Sequence, residues 1–166
     1  MCRLCCRAFL VHSSFVPHSM KYHESRVQVR FNEVDQWGIV WYANYFAYVE
    51  VARSEVLARV GLLPDLLSGL GYTAPIINLT ANFKSSARFH DELLVRIRLV
   101  PQKTAKLVFA FRIVQADSGR LVMEGESTQV LLNNKGFMVY APEGELAARI
   151  AELAAYFVEN GDDTAS

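Results

Sequence analysis

The sequence predicts an α+β domain with one long helix, an antiparallel sheet of about five strands wrapped around it, and a C-terminal helix. Residues 42–60 repeat apolar side chains at helical spacing. The segments that follow alternate apolar and polar residues, the period of half-buried strands. The helix also carries more apolar surface than one lying on the outside would need, and a sheet wrapped around it would bury that surface.

In residues 26–31, Val27, Val29 and Phe31 share one face and Arg26, Gln28 and Arg30 the other, a half-buried strand. Residues 32–41 form a loop containing Gly38. The helix follows, with Tyr45, Val49, Ala52, Val56 and Val60 at spacings of four and three, and with Phe46 and Leu57 widening the stripe. Gly61 stops it, and residues 61–71 read as a loop with helical turns.

Residues 74–84 form a strand with Pro75 near its start, where a missing donor does little harm. Leu93, Val95, Ile97 and Leu99 alternate with Leu94, Arg96 and Arg98 in the next. Leu107, Phe109, Phe111 and Ile113 mark the third, and Asp117-Ser118-Gly119 turns it into residues 120–132. A second turn, Asn133-Asn134-Lys135-Gly136, precedes a short strand at 137–140. Pro142 then opens a helix whose stripe is Leu146, Ile150, Leu153 and Phe157, and a polar tail follows from Asn160.

The 166 residues suit one domain, and 52% hydrophobic against 20% charged residues is enough to bury a core. A formal net charge of zero argues against a nucleic-acid partner bound by bulk charge. No apolar run is long enough to span a bilayer. Cys2, Cys5 and Cys6 are the only cysteines, so the domain holds together without disulfides, which fits a reducing compartment and a cytoplasmic protein. These thiols lack the distant second pair of a structural zinc site. Residues 1–19 carry Arg3 and Arg7, several serines and no acid; they read as an organellar targeting segment or as an extension upstream of Met20. The expected organisation is an extension at 1–19, a domain at 20–160 and a tail at 161–166.

Asp35 lies in a loop seven residues before Tyr42, at the mouth of the long helix. A helix N-terminus presents unpaired N–H groups and a partial positive charge. An ionised acid beside oriented donors is the minimum for attacking a thioester. A capping or bracing Asp is the plainer alternative. His12, His18, His23 and His90 all lie outside this loop, and neither a serine nucleophile elbow nor a metal-binding cluster is evident.

Residues 35–61 resemble the hydroxybenzoyl-coenzyme A thioesterase family. Its pattern is an acid, two residues, a glycine, two β-branched residues, an aromatic pair, then a tyrosine-rich helix with Glu-x-x-Arg. Asp35, Gly38, Ile39, Val40, Trp41, Tyr42, Tyr45, Glu50 and Arg53 carry the likeness. It continues more loosely at Phe83-Lys84, over residues 88–93, at Gly136 and at Pro142-Glu143, covering about residues 25–145. Val34 stands where the family usually has Thr or Cys, and Tyr42 where many members have His. The Trp41-Tyr42 pair tilts the likeness toward aryl thioesters.

The resemblance implies a hotdog fold and hydrolysis of an acyl-coenzyme A thioester, without a metal or redox cofactor. Asp35 would be nucleophile or general base, and the Tyr42 N–H would face the thioester carbonyl. Gly38, Trp41 and Tyr45 would contact substrate, with Lys84 and Arg88 toward the coenzyme A phosphates. The family's site forms between protomers, which implies a homodimer or homotetramer. Glu50 is a second candidate acid, since related enzymes carry their carboxylate on the helix. Arg53, inside the apolar stripe and three residues on, gives Glu50 a structural partner instead. A non-catalytic acyl-thioester binding protein and a thioesterase acting on acyl carrier protein are the alternatives.

Overall fold

The computed structural model describes residues 21–102 and 104–158. The cysteine cluster, the rest of segment 1–19 and the tail at 161–166 lie outside the described residues. In chain order the elements are β1 (His23–Gln28), a 3-10 turn (Phe31–Glu33), α1 (Tyr42–Arg59), α2 (Pro64–Gly69), β2 (Tyr72–Thr73), β3 (Ile76–Phe83), β4 (Glu92–Val100), β5 (Lys106–Gln115), β6 (Leu121–Val130), β7 (Leu132–Asn133) and α3 (Gly144–Tyr156). Five strands form one antiparallel sheet in the order β1-β4-β5-β6-β3, and β2 pairs with β7. β1 and β3 are therefore the two edges, and the long helix lies between them in the chain.

The strand alternation expected from the sequence is present. Leu93, Val95, Ile97 and Leu99 of β4 are buried, as are Leu107, Phe109, Phe111 and Ile113 of β5. Burying each such Leu, Val, Ile or Phe side chain contributes about 1.5–3 kcal/mol. One cross-strand row on this face runs Ile97, Phe111, Gly125, Ala81. Gly125 makes that row possible, because a Cβ there would lie 2.0 Å from the carbonyl oxygen of Thr80 and 2.7 Å from the Phe111 ring. The other face carries exposed ion pairs, Arg96 with Glu24 and Arg26 with Glu92, each at 2.7 Å. Such pairs add little stability but keep that face wet.

α1 buries Tyr45, Tyr48, Val49, Ala52, Val56 and Leu57. Val60 caps it, and Gly61 follows at φ +65, a conformation that favours glycine. The Arg149 guanidinium of α3 donates to the carbonyls of Val60 and Gly61 at 3.2 and 2.9 Å, placing a cation at the helix C-terminus. A Cβ on Gly61 would displace that guanidinium, the flexible end of Arg149, so the positive φ is the firmer reason for glycine here.

Three expectations need correction. The first strand runs from His23 to Gln28, and Phe31 falls in the 3-10 turn, 74% exposed. Its core-facing positions begin at His23 and Ser25, polar residues that an apolar alternation cannot reveal. They are satisfied: His23 bonds the Tyr156 hydroxyl and a Glu55 carboxylate oxygen, both at 2.8 Å, and Ser25 donates to the same Glu55 oxygen. Residues 137–140 form no strand; a single bridge joins Met138 to Leu132. The last helix starts at Gly144 with Glu143 as its cap, leaving Pro142 just outside.

Candidate active site

The loop before α1 is closed by its own backbone. Val34 bridges to Val40, Asp35 N–H donates to Ile39 at 2.8 Å, and Gly38 N–H donates back to Asp35 at 2.9 Å. Gly38 turns the chain at φ +71. Glu33 anchors the assembly from below. Its carboxylate accepts from the Arg30 N–H and the Tyr48 hydroxyl, both at 2.7 Å. Its carbonyl accepts from the Trp41 N–H at 2.9 Å and the Asn44 amide at 2.8 Å. Sequence reasoning passed over Glu33: its carboxylate reaches back to the Arg30 N–H as in a capping box, but Arg30 has no side-chain acceptor to complete one, so the pattern did not stand out.

Within this frame Asp35 is held by one oxygen. Oδ1 accepts from the Trp37 N–H at 2.8 Å and the Ile39 N–H at 3.4 Å. Oδ2 has no hydrogen-bond partner among the described residues. Tyr42 is the first residue of α1, and its N–H likewise has no partner among them. Both residues line a cavity of about 530 Å³ together with Trp41, Tyr45 and Lys84. Its remaining wall includes Trp37, Ile39, Phe83, Ser85 and Ser86.

The segment after β3 closes the cavity from the other side. Val40 N–H donates to Ala87 at 2.9 Å, and Ile39 bridges to Arg88. The Ala87 N–H donates to the Tyr45 hydroxyl at 3.1 Å. Burial pushes the Tyr45 phenol above its ordinary pKa, partly offset by this Ala87 N–H. Burial and then the bond to Glu33 push Tyr48 up further. Both phenols therefore stay neutral, as hydrogen-bonding supports rather than bases.

The other sequence candidates fall as follows. The Lys84 ammonium sits 3.5 Å from Glu124. Arg88 is exposed and packs beside Gly38 instead of lining the cavity. Glu50 bonds Arg53 and lines a different cavity, near the second half of α1. Among the described residues no cluster of three metal-ligating side chains is present, and no helix is long and apolar enough to cross a membrane.

The sequence pattern of the Thioesterase superfamily matches residues 38–122, about half of the chain, and the chain belongs to that superfamily. It is 30% identical over 69% of its length to the chloroplastic acyl-acyl carrier protein thioesterase ATL3 of Arabidopsis thaliana, and the match spans 60% of that protein. It is 28% identical to the acyl-CoA thioester hydrolase YbgC of Escherichia coli over 55% of this chain and 69% of the relative. Among solved structures, the 1,4-dihydroxy-2-naphthoyl-CoA thioesterase Slr0204 of Synechocystis superposes with a TM-score of 0.70, covering 80% of this chain and 97% of the other at 19% identity. That likeness identifies the fold, a hotdog, as the sequence implied.

Proposed function

We propose that the chain hydrolyses acyl-coenzyme A thioesters, with Asp35 as its carboxylate and the N–H of Tyr42 as its oxyanion donor. The observation that carries this reading is that Asp35 and Tyr42 line one cavity, with Asp35 Oδ2 and the Tyr42 N–H both without a partner among the described residues. Asp35 acts as nucleophile, or as the base that takes a proton from attacking water. As the carbonyl oxygen gains charge, the Tyr42 N–H and the helix dipole stabilise it. The thiolate leaves; in the nucleophilic route water then hydrolyses the acyl–Asp35 anhydride and its proton goes to the thiolate, and in the general-base route the proton taken by Asp35 passes to the thiolate, so the products are a free acid and coenzyme A.

Trp41, Tyr45 and Gly38 shape the acyl end of the site in this reading, and the aromatic walls favour an aryl acyl group of the hydroxybenzoyl kind. Lys84 and Arg88 serve the coenzyme A phosphates; Lys84 is 47% exposed in its side chain and its contact with Glu124 is loose enough to exchange. The working unit is a homodimer or homotetramer of a domain at 20–160, in the cytoplasm. The support for assembly is the edge strand β3, where Ile76, Ile77, Leu79 and Phe83 are exposed, together with Val51 on α1.

The test is a panel of aryl, short-chain and long-chain acyl-coenzyme A substrates, assayed by released thiol for wild type and Asp35→Asn. Asn keeps the shape of Asp but cannot serve as base, so kcat should fall by about a hundredfold or more with a modest change in KM. Near-normal turnover in Asp35→Asn removes Asp35 from the chemistry; binding without hydrolysis by wild type favours a non-catalytic binding protein. The likeness to ATL3 supports a second reading, in which the acyl donor is acyl carrier protein. Adding one acyl-carrier-protein thioester to the panel separates the two.

A further inference from the structure

Three aromatic rings meet at one side of the Asp35 cavity. The Phe83 ring lies 5.8 Å from that of Tyr45 and 6.5 Å from that of Phe46, tilted against the first and edge-on to the second. Phe83 and Tyr45 line the cavity, and Phe46 does not. The Phe83 ring is therefore the boundary between the cavity and Phe46. Tyr45 is fixed, since it is buried and accepts the Ala87 N–H. Phe83 is half-exposed and ends β3, an edge strand paired on one side only in its sheet.

Behind Phe83 the strand is thinly filled. Its register partner on β6 is Met123, fully buried, so Phe83 points to the core side of the sheet. The pleat puts Ala81 and Leu79 on the same side, opposite Gly125 and Ser127. Ala81 and Gly125 add almost no bulk, and Leu79 is partly exposed. α1 packs mainly on β4 and β1, which leaves this edge of the sheet lightly covered. Pairing of a second copy along β3 would use its free backbone groups and leave this side-chain face available. The result is an apolar strip that leads away from Asp35 and is shut off from its cavity by one ring. An alkyl chain gains by lying on such a strip, because its methylenes leave water there.

We propose that Phe83 sets the length of the acyl group this enzyme accepts. Its ring confines the acyl end to the aromatic cavity, which suits aryl and short acyl groups, and its removal admits a medium alkyl chain along Ala81 and Leu79. The proposal rests on the thioesterase reading of the Asp35 cavity and adds to it the side chain that decides the substrate class.

The experiment measures kcat/KM by released thiol for benzoyl-, hexanoyl- and dodecanoyl-coenzyme A, in wild type, Phe83→Ala and Phe83→Leu. Wild type should favour benzoyl and hexanoyl over dodecanoyl. Phe83→Ala leaves a space that its neighbours fill only in part. The dodecanoyl-to-benzoyl ratio should then rise by about tenfold or more, the scale on which apolar pockets discriminate by a methylene or more. Phe83→Leu keeps apolar bulk on the edge strand and should raise the ratio by less; it carries the test if Phe83→Ala does not fold. Adding Leu79→Glu to either variant puts a charge on the strip and should return the ratio toward the wild-type value. A dodecanoyl preference already present in wild type, a ratio unmoved in the Phe83 variants, or a ratio that stays high with Leu79→Glu overturns the proposal and leaves the hydrolysis reading standing. A wild type that hydrolyses none of the three thioesters removes that reading, and this proposal with it.

Discussion

The hydroxyl of Tyr45 accepts the backbone N–H of Ala87 at 3.1 Å, tying the first turn of α1 to the segment on the far side of the Asp35 cavity. Both residues are buried, Ala87 completely, so water cannot replace the bond. Tyr45→Phe keeps the ring and removes the acceptor. It should cost about 1–3 kcal/mol of stability and loosen the cavity wall. Urea unfolding reads the first effect; the second should appear as a raised KM with a smaller change in kcat. Unchanged stability and KM would show that the Ala87 N–H finds another acceptor.

Glu50 is half-exposed while Arg53 is 11% exposed in its side chain, so their bond matters mainly to the arginine. Removing Glu50 leaves a third guanidinium nitrogen without an acceptor. Glu50→Ala should cost about 1–3 kcal/mol, below the range for a fully buried pair because Glu50 itself is screened. Glu50→Gln, which keeps a carbonyl acceptor, should recover part of the loss, and both variants should turn over thioester near the wild-type rate. A stable Glu50→Ala protein with a large fall in kcat would make Glu50 the catalytic acid.

Glu55 links β1 to α1 through Ser25 and His23. Partial burial pushes its carboxyl pKa up, but the hydrogen bonds from Ser25 and His23 and the nearby charges of His23 and Arg59 outweigh that, and the net shift is downward. A depressed carboxylate stabilises the fold above its unfolded pKa, and the contribution is lost as pH falls through the folded value. Glu55→Gln should therefore be less stable than wild type near neutral pH, and the gap should close on acidification through the carboxylate range. Urea midpoints measured from about pH 7 to about pH 3 check this; a gap that widens toward low pH contradicts the assignment.

Gly125 has ordinary strand geometry but no room. The Thr80 carbonyl and the Phe111 ring occupy the place of any Cβ. Gly125→Ala must push backbone as well as side chain, and overpacking of this kind costs about 1–3 kcal/mol or more. Thermal unfolding should fall by several degrees, and Gly69→Ala, in open space and without a positive φ, makes a useful comparison. A Gly125→Ala protein with wild-type stability would mean that β3 and β6 can separate locally without penalty.

The long helix, its boundaries and its stripe were legible in the sequence, because local periodicity alone sets which side of a helix is apolar. The alternation of β4 and β5 was legible for the same reason. So was the position of Asp35 in the loop that leads into the helix, although the bond from Asp35 N–H to Ile39 and the Val34–Val40 bridge are what fold that loop back. The start of β1 was not legible: His23 and Ser25 face inward only because Glu55 and Tyr156, distant in the chain, supply their hydrogen bonds. Nor could residues 137–140 be told from a strand, since a strand needs a partner in register and only Leu132 offers one bridge.

Local pattern thus determined the elements and brought an acid to a helix N-terminus. Tertiary structure decided that Oδ1 of Asp35 is tied while Oδ2 has no partner among the described residues, that Arg88 lies beside Gly38 instead of in the cavity, and that Glu50 lines a different cavity. The physical reason is that periodicity is a property of neighbours along the chain. Hydrogen-bond satisfaction and cavity shape depend on which distant segments meet, and spacing along the chain does not specify that meeting.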